Sequence, residues 1–160
     1  MIKDNSYLRH FWHPVCSVKE LEMSSPSGLG PLAVTLLSQH LVVANLGGKI
    51  VAMRDRCIHR SARLSAGQVV GADLQCPYHG WKYRADGACT FVPAMPEGPI
   101  PSKARVEHFE CEEKYGLIWV RLDSSYDCTK IPHFSAANDP RFKVIIQEPY
   151  YWKSSAERRW

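Results

Sequence analysis

No apolar run in this 160-residue chain approaches the roughly twenty residues that a membrane-spanning helix needs. The first nine residues, Met1 to Arg9, are polar and hold no apolar core of the signal-peptide type. Helix-period patterning is missing before residue 120, apart from a single turn suggested by Val18 to Met23. There is no internal repeat and no low-complexity tract. Charge of one sign is also scarce: the formal net charge is +4, spread along the chain. That is too small and too scattered to argue for nucleic acid. It is compatible with an acidic electron-transfer partner, although an ordinary solvated surface accounts for it more simply. These absences point to a cytoplasmic protein with no membrane and no nucleic-acid partner.

What is present reads as short strands with turn punctuation, an all-β pattern. Pro31 to Leu37, His40 to Leu46 and Lys49 to Met53 are rich in Val, Leu and Ile, with Gly47-Gly48 as a hairpin turn between the last two. Asp73 to Cys76 is a short strand. Trp81 to Arg84 and Ala88 to Val92 form a second hairpin around Ala85-Asp86-Gly87. Arg105 to Cys111 alternates, and Gly116 to Leu122 has the strongest strand composition. Pro93 to Pro101 holds four prolines and reads as a stiff loop, either a shield for the neighbouring site or a plain connection. After Asp123 the character changes. Ser124 to Arg141 is polar and linker-like, Lys143 to Glu148 is expected to start a new strand, and the segment to Trp160 has no closing cap. The expected division is 1–122 as one domain and 123–160 as linker plus the first segment of a further, truncated domain.

Six cysteines are present. Cys16, Cys89, Cys111 and Cys128 are scattered singly and read as small buried hydrophobes. Cys57 and Cys76 are different. They head the clusters Cys57-Ile58-His59 and Cys76-Pro77-Tyr78-His79, with sixteen residues (60–75) between them. Each cluster offers one thiolate and one imidazole in the same order. A Rieske [2Fe–2S] centre takes two Cys on one iron and two His on the other, so these four residues are its candidate ligands. Tetrahedral zinc also takes Cys2His2, but its ligand pairs usually have two or more intervening residues. A zinc-stabilised binding module and a coincidence of structural residues stay as alternatives. His10, His13, His40, His108 and His133 have no ligand spacing and are assigned no role.

From Tyr7 to about Leu122 the chain resembles the N-terminal Rieske domain of the Rieske non-haem iron oxygenases, the ring-hydroxylating and O-demethylating enzymes. The two Cys/His clusters carry the resemblance. Phe11-Trp12-His13-Pro14-Val15, Arg60, Leu64-Ser65-Ala66-Gly67, Gly80-Trp81-Lys82-Tyr83, Gly87-Ala88-Cys89 and the Tyr115 to Val120 strand support it. The resemblance implies an antiparallel β-sandwich with a cluster-binding subdomain of two hairpin loops. It implies one-electron transfer from a flavin or ferredoxin reductase to a mononuclear Fe(II) in a catalytic domain of the same or a neighbouring subunit. That iron is expected only in the missing catalytic domain, and a homotrimer is expected of the full-length protein. A free-standing Rieske ferredoxin is the alternative within the same chemistry. Unlike the respiratory Rieske proteins, the chain has no extra cysteine pair bridging the loops and carries Trp81 where they carry serine. Fewer donors to the sulfurs imply a potential toward the low end of the Rieske range of about −150 to +300 mV. Tyr78 and Trp81 read as shielding aromatics. Arg60 and Arg63 read as solvated surface, with docking of a carboxylate-rich partner as the alternative.

Overall fold

The computed structural model describes residues 6–126 and 130–147. Ten short strands and one six-residue helix make up the regular structure of these residues, apart from three 3-10 turns. The larger sheet holds six antiparallel strands in the order β1 (His13–Ser17), β10 (Leu117–Arg121), β9 (His108–Lys114), β4 (Lys49–Arg54), β3 (Gln39–Leu46), β2 (Leu32–Leu36). Its two end strands, β1 and β2, touch, so the sheet curls back on itself. The smaller sheet is a four-stranded meander, β5 (Gln68–Val70), β6 (Asp73–Gln75), β7 (Lys82–Tyr83), β8 (Cys89–Phe91).

β3 explains how the two sheets share one molecule. Leu41 and Val43 point into the core inside the curled sheet, with Ala52, Phe109, Ile118 and Val120. Val42, Ala44 and Leu46 point the other way, against Leu64, Leu74 and Tyr83 below the smaller sheet. A strand buried on both faces needs an unbroken apolar run rather than alternation, and Leu41-Val42-Val43-Ala44 supplies it. The smaller sheet is thereby fixed to the larger one through a continuous apolar layer that reaches Cys57 and Cys76.

Most sequence-derived strands are present, with boundary shifts. Arg105 to Cys111 becomes β9 three residues later, because Arg105 instead bridges to Ala88 across the second hairpin. The helical turn at Val18 is α1 (Val18–Met23), closed by a capping box in which Ser17 Oγ accepts from Glu20 N and Glu20 receives the Ser17 N–H. β1 and β5 were not anticipated: His13-Pro14 and a three-residue strand give almost no period-2 signal. The new strand expected over Lys143 to Glu148 is not found over 143–147, and Glu148 lies outside the described residues. That stretch has no strand partner. It lies instead against the β1 and β10 side of the larger sheet, lining a groove of about 650 Å³ with Val15, Leu117 and Phe134.

The turn of the second hairpin depends on glycine. Gly87 has φ +80, and a Cβ there would sit 2.1 Å from Val106 O. Val106 N donates to Gly87 O and Gly87 N to Arg84 O, both at 2.8 Å. The Asp86 carboxylate receives the Ala88 N–H at 2.9 Å and pairs with Arg84 and Arg105. The Arg84 hydrogen bond, then the Ala88 N–H, hold that carboxyl well below the ordinary aspartate range. Gly87→Ala is therefore expected to destabilise the fold by roughly 2 kcal/mol, or about 6 °C in Tm, through combined φ strain and backbone clash. Thermal unfolding followed by circular dichroism checks this, and an unchanged Tm would contradict the turn geometry.

Candidate metal centre

Two loops at one end of the smaller sheet carry all four candidate residues, and their backbones follow one plan. In the first, Ser61 N donates to Cys57 O at 2.9 Å and Cys57 N to Ala62 O at 2.8 Å. In the second, Gly80 N donates to Cys76 O at 3.1 Å and Cys76 N to Trp81 O at 2.8 Å. Each cysteine thus opens a turn closed by the residues four and five positions later. The fourth position has a left-handed backbone in both, with φ 60 at Ser61 and φ 70 at Gly80. Glycine takes that conformation freely, while Ser61 takes it at a cost of about 1 kcal/mol.

Further contacts tie each loop to the body. Asp55 is buried, and its two carboxylate oxygens accept Ser65 N at 2.7 Å and Ser65 Oγ at 2.6 Å, clamping the base of the first loop. Pro93, from the proline-rich segment, packs against Gly80, where a Cβ would meet its Cγ at 3.1 Å. That segment flanks the second loop on one side and leaves Met95 exposed.

The four side chains divide by polarity. Cys57 and Cys76 are each 2% exposed and face one another at the edge of the core, both as free thiols. His59 and His79 stand outside in solvent, ring centroids 4.7 Å apart and edge to face. Trp81 stacks flat on His59 at 4.8 Å with 8° between planes. Tyr78 leans on His79 at 3.9 Å while remaining 61% exposed. The shielding expected of these aromatics is therefore a clamp on the imidazole rings rather than a cover over the site.

A residue that the sequence reading named only within a motif lies at the centre. Tyr83 is fully buried, and its hydroxyl is 3.0 Å from Cys57 Sγ. Burial, then the hydrogen bond to Cys57, push its phenol well above the ordinary tyrosine range, so the hydroxyl keeps its proton and is the donor available to a Cys57 thiolate. Burial likewise raises the Cys76 thiol, opposed by the backbone N–H groups of Tyr78 and His79, which point at its sulfur. Donors to both cysteine sulfurs are thus in place. The only sequence signal for the Tyr83 contact is its place two residues beyond Trp81 in a buried strand. His59 is held below the ordinary imidazole value, first by partial desolvation and then by the charges of His79 and Arg60.

Among the described residues no three His, Cys, Asp or Glu side chains converge on a single-ion position. The donors separate instead into an inner sulfur pair and an outer imidazole pair. A two-iron cluster bridged by sulfides suits that separation, whereas one tetrahedral zinc ion needs all four donors around one point. The residues therefore fit the [2Fe–2S] group. The remaining cysteines are dispersed: Cys16 and Cys89 are buried, Cys111 is half-buried, and Cys128 lies outside the described residues. Burial pushes Cys16 and Cys111 up to about 12, which keeps both as neutral thiols in the core.

Comparison with known proteins agrees with this geometry. Residues 11–112 match the model of the Rieske [2Fe-2S] domain. The chain is 68% identical over 157 residues to methylxanthine N1-demethylase NdmA of Pseudomonas putida, covering 98% of this chain and 45% of that protein. A solved structure of NdmA superposes with a TM-score of 0.94 over 97% of the chain. Methylxanthine N3-demethylase NdmB of the same organism is 51% identical over 164 residues, covering 100% of this chain and 46% of NdmB. Oxidoreductase NdmD, also from Pseudomonas putida, is 38% identical over 113 residues, covering 69% of this chain and 18% of NdmD. The chain spans less than half the length of the two demethylases. It belongs to the Rieske [2Fe–2S] domain family, in the branch carried by the Rieske non-haem iron oxygenases, and its cofactor is a Rieske [2Fe–2S] cluster.

Proposed function

We propose that Cys57 and Cys76 hold one iron of the cluster, that His59 and His79 hold the other, and that the chain is the electron-relay domain of an oxidative N-demethylase acting on methylxanthines. The observation that carries the ligand assignment is the pairing of two identically built loops, each presenting one buried thiol and one exposed imidazole. The substrate class rests on the similarity to NdmA and NdmB over essentially the whole chain. The catalytic mononuclear iron and the substrate contacts belong to the remainder of a longer protein, with 1–122 as the Rieske domain and 123–160 as the passage into it. The exposed apolar residues Phe142, Val144, Ile145 and Ile146 support that division, because isolated apolar surface of this kind normally meets a neighbouring unit. We place the protein in the cytoplasm, where free thiols persist for cluster assembly. A reductase is the electron donor, and the similarity to oxidoreductase NdmD is compatible with a partner of that class.

When bound, the cluster supplies reversible one-electron transfer. The chain's own residues do the rest. The apolar layer of Leu64, Leu74, Val92 and Val106 keeps water from the sulfur side. The Tyr83 hydroxyl and the N–H groups of Tyr78 and His79 stabilise negative charge on the sulfurs. Trp81 and Tyr78 hold the planes of the imidazoles, whose outer edges stay exposed for transfer to a partner.

The deciding experiment is the EPR spectrum of the dithionite-reduced protein with iron and zinc analysis on the same sample. A Rieske-type signal with about two irons per chain is expected, and it should disappear in Cys57→Ala and in His79→Ala. A silent sample holding zinc would overturn the assignment. Tyr83→Phe should retain the signal but lower the midpoint potential. A hydrogen bond to charged sulfur that strengthens on reduction by about 1 kcal/mol corresponds to roughly 45 mV in a one-electron couple. A redox titration showing no shift would remove Tyr83 from the tuning of the site.

A further inference from the structure

The first cysteine loop is basic, with one buried carboxylate, Asp55, at its base. Residues 56–72 contain Arg56, Arg60 and Arg63 and no carboxylate. Asp55, just before them, is buried and spends both oxygens on Ser65. Arg54 pairs with Glu107 at 3.2 Å. Arg56 reaches only a neutral hydroxyl, Ser61 Oγ at 2.8 Å. Among the described residues, no acidic side chain forms an ion pair with Arg56, Arg60 or Arg63. The second loop adds only Lys82, since Arg84 pairs with Asp86 at 2.9 Å.

Between this loop and the β2–β3 turn runs a groove of about 420 Å³. Arg54, Arg56, Arg63 and His40 line it, with Leu37 and Ser38 of the turn and the single carboxylate of Asp55, so cationic groups outnumber acidic ones there. The turn is built against its own backbone preference. Leu37 and Ser38 have φ 47 and 63, a pair of left-handed residues for which two-residue hairpins normally use Asn-Gly. Ser61, with φ 60, lines the same groove. Three of the four described non-glycine residues with positive φ therefore gather here, and the fourth, Tyr115, lies elsewhere. Leu37 and Ile58, 37% and 43% exposed, add apolar surface beside the guanidinium groups.

We propose that this groove and the adjoining tip of the first loop dock an electron-donor protein whose redox centre is ringed by Asp and Glu side chains. The proposal rests on the electron-relay reading above and names the face and chemistry of the partner. Guanidinium groups receive carboxylates in two-pronged pairs, which fixes orientation as well as attraction. Arg56 and Arg63 flank His59 in sequence on one loop, so a partner held by them docks beside the loop that carries an exposed imidazole. A small basic surface with two apolar anchors suits the low-area, short-lived encounters of electron-transfer partners, which are guided by charge.

The test uses the cluster-loaded chain and Pseudomonas putida oxidoreductase NdmD as the probe. The dissociation constant is measured by surface plasmon resonance at several ionic strengths, and cluster content is checked by EPR and iron analysis on each sample. The parent chain is expected to bind, more weakly as salt rises. The triple variant Arg56→Gln, Arg60→Gln, Arg63→Gln should bind about tenfold more weakly at low salt and lose most of the salt dependence. The double variant Leu37→Asn, Ser38→Gly relieves the turn. It should melt at a higher temperature yet bind NdmD several-fold more weakly, a combination that damage to the fold cannot produce. The proposal is overturned if the parent does not bind, if its binding ignores salt, or if the triple variant binds unchanged with its EPR signal intact. A parent chain without the EPR signal is a separate result, and it counts against the cluster assignment itself.

Discussion

Everything at the functional end of this protein depends on burying two thiols side by side while leaving two imidazoles in solvent. Cys57 and Cys76 are as buried as the aliphatic core around them, and His59 and His79, only two and three residues onward, are exposed. A chain can cross from core to solvent in so few residues only through a tight turn. Both loops make it in the same way, with the cysteine carbonyl receiving the N–H four residues later from a left-handed residue. The turn, rather than the spacing of the histidine, is the repeated unit. That is why one loop tolerates Cys-x-His and the other Cys-x2-His.

The support behind the loops is apolar on one side and hydrogen-bonded on the other. β3 contributes to both cores at once, so the smaller sheet cannot shift without disturbing the larger one. Close-packed interiors resist such shifts, which keeps loop positions accurate to the tolerance a metal centre needs. Against this frame the polar contacts are few and specific: Asp55 to Ser65 at the base of the first loop, and Tyr83 to Cys57 beneath the sulfurs. Each satisfies a buried group that would otherwise be costly to desolvate.

The charge arrangement separates the two faces of the site. Carboxylates near the second hairpin are engaged by arginines, as Asp86 is by Arg84 and Arg105. Arg56, Arg60 and Arg63 on the first loop are left without acidic partners among the described residues. The overall charge of +4 conceals this, because the imbalance is local to the loop that carries His59. A composition figure alone therefore understates how directional the surface is.

The sequence by itself determined the cofactor class, the four candidate residues and most of the strands. Cys-x-His and Cys-x2-His are local patterns, and hairpin turns such as Gly47-Gly48 and Asp86-Gly87 act over a few residues. Tertiary structure alone decided the Tyr83 contact, which joins residues 26 positions apart, and the stacking of Trp81 on His59. It also decided that Lys143 to Gln147 lie along the larger sheet without forming a strand, since apolar β-branched residues need a free strand edge to pair with. The groove beside the first loop belongs to the same category. Leu37, Ser38, Arg56 and Arg63 come from separate segments, and only the packing of β3 against both sheets brings them together.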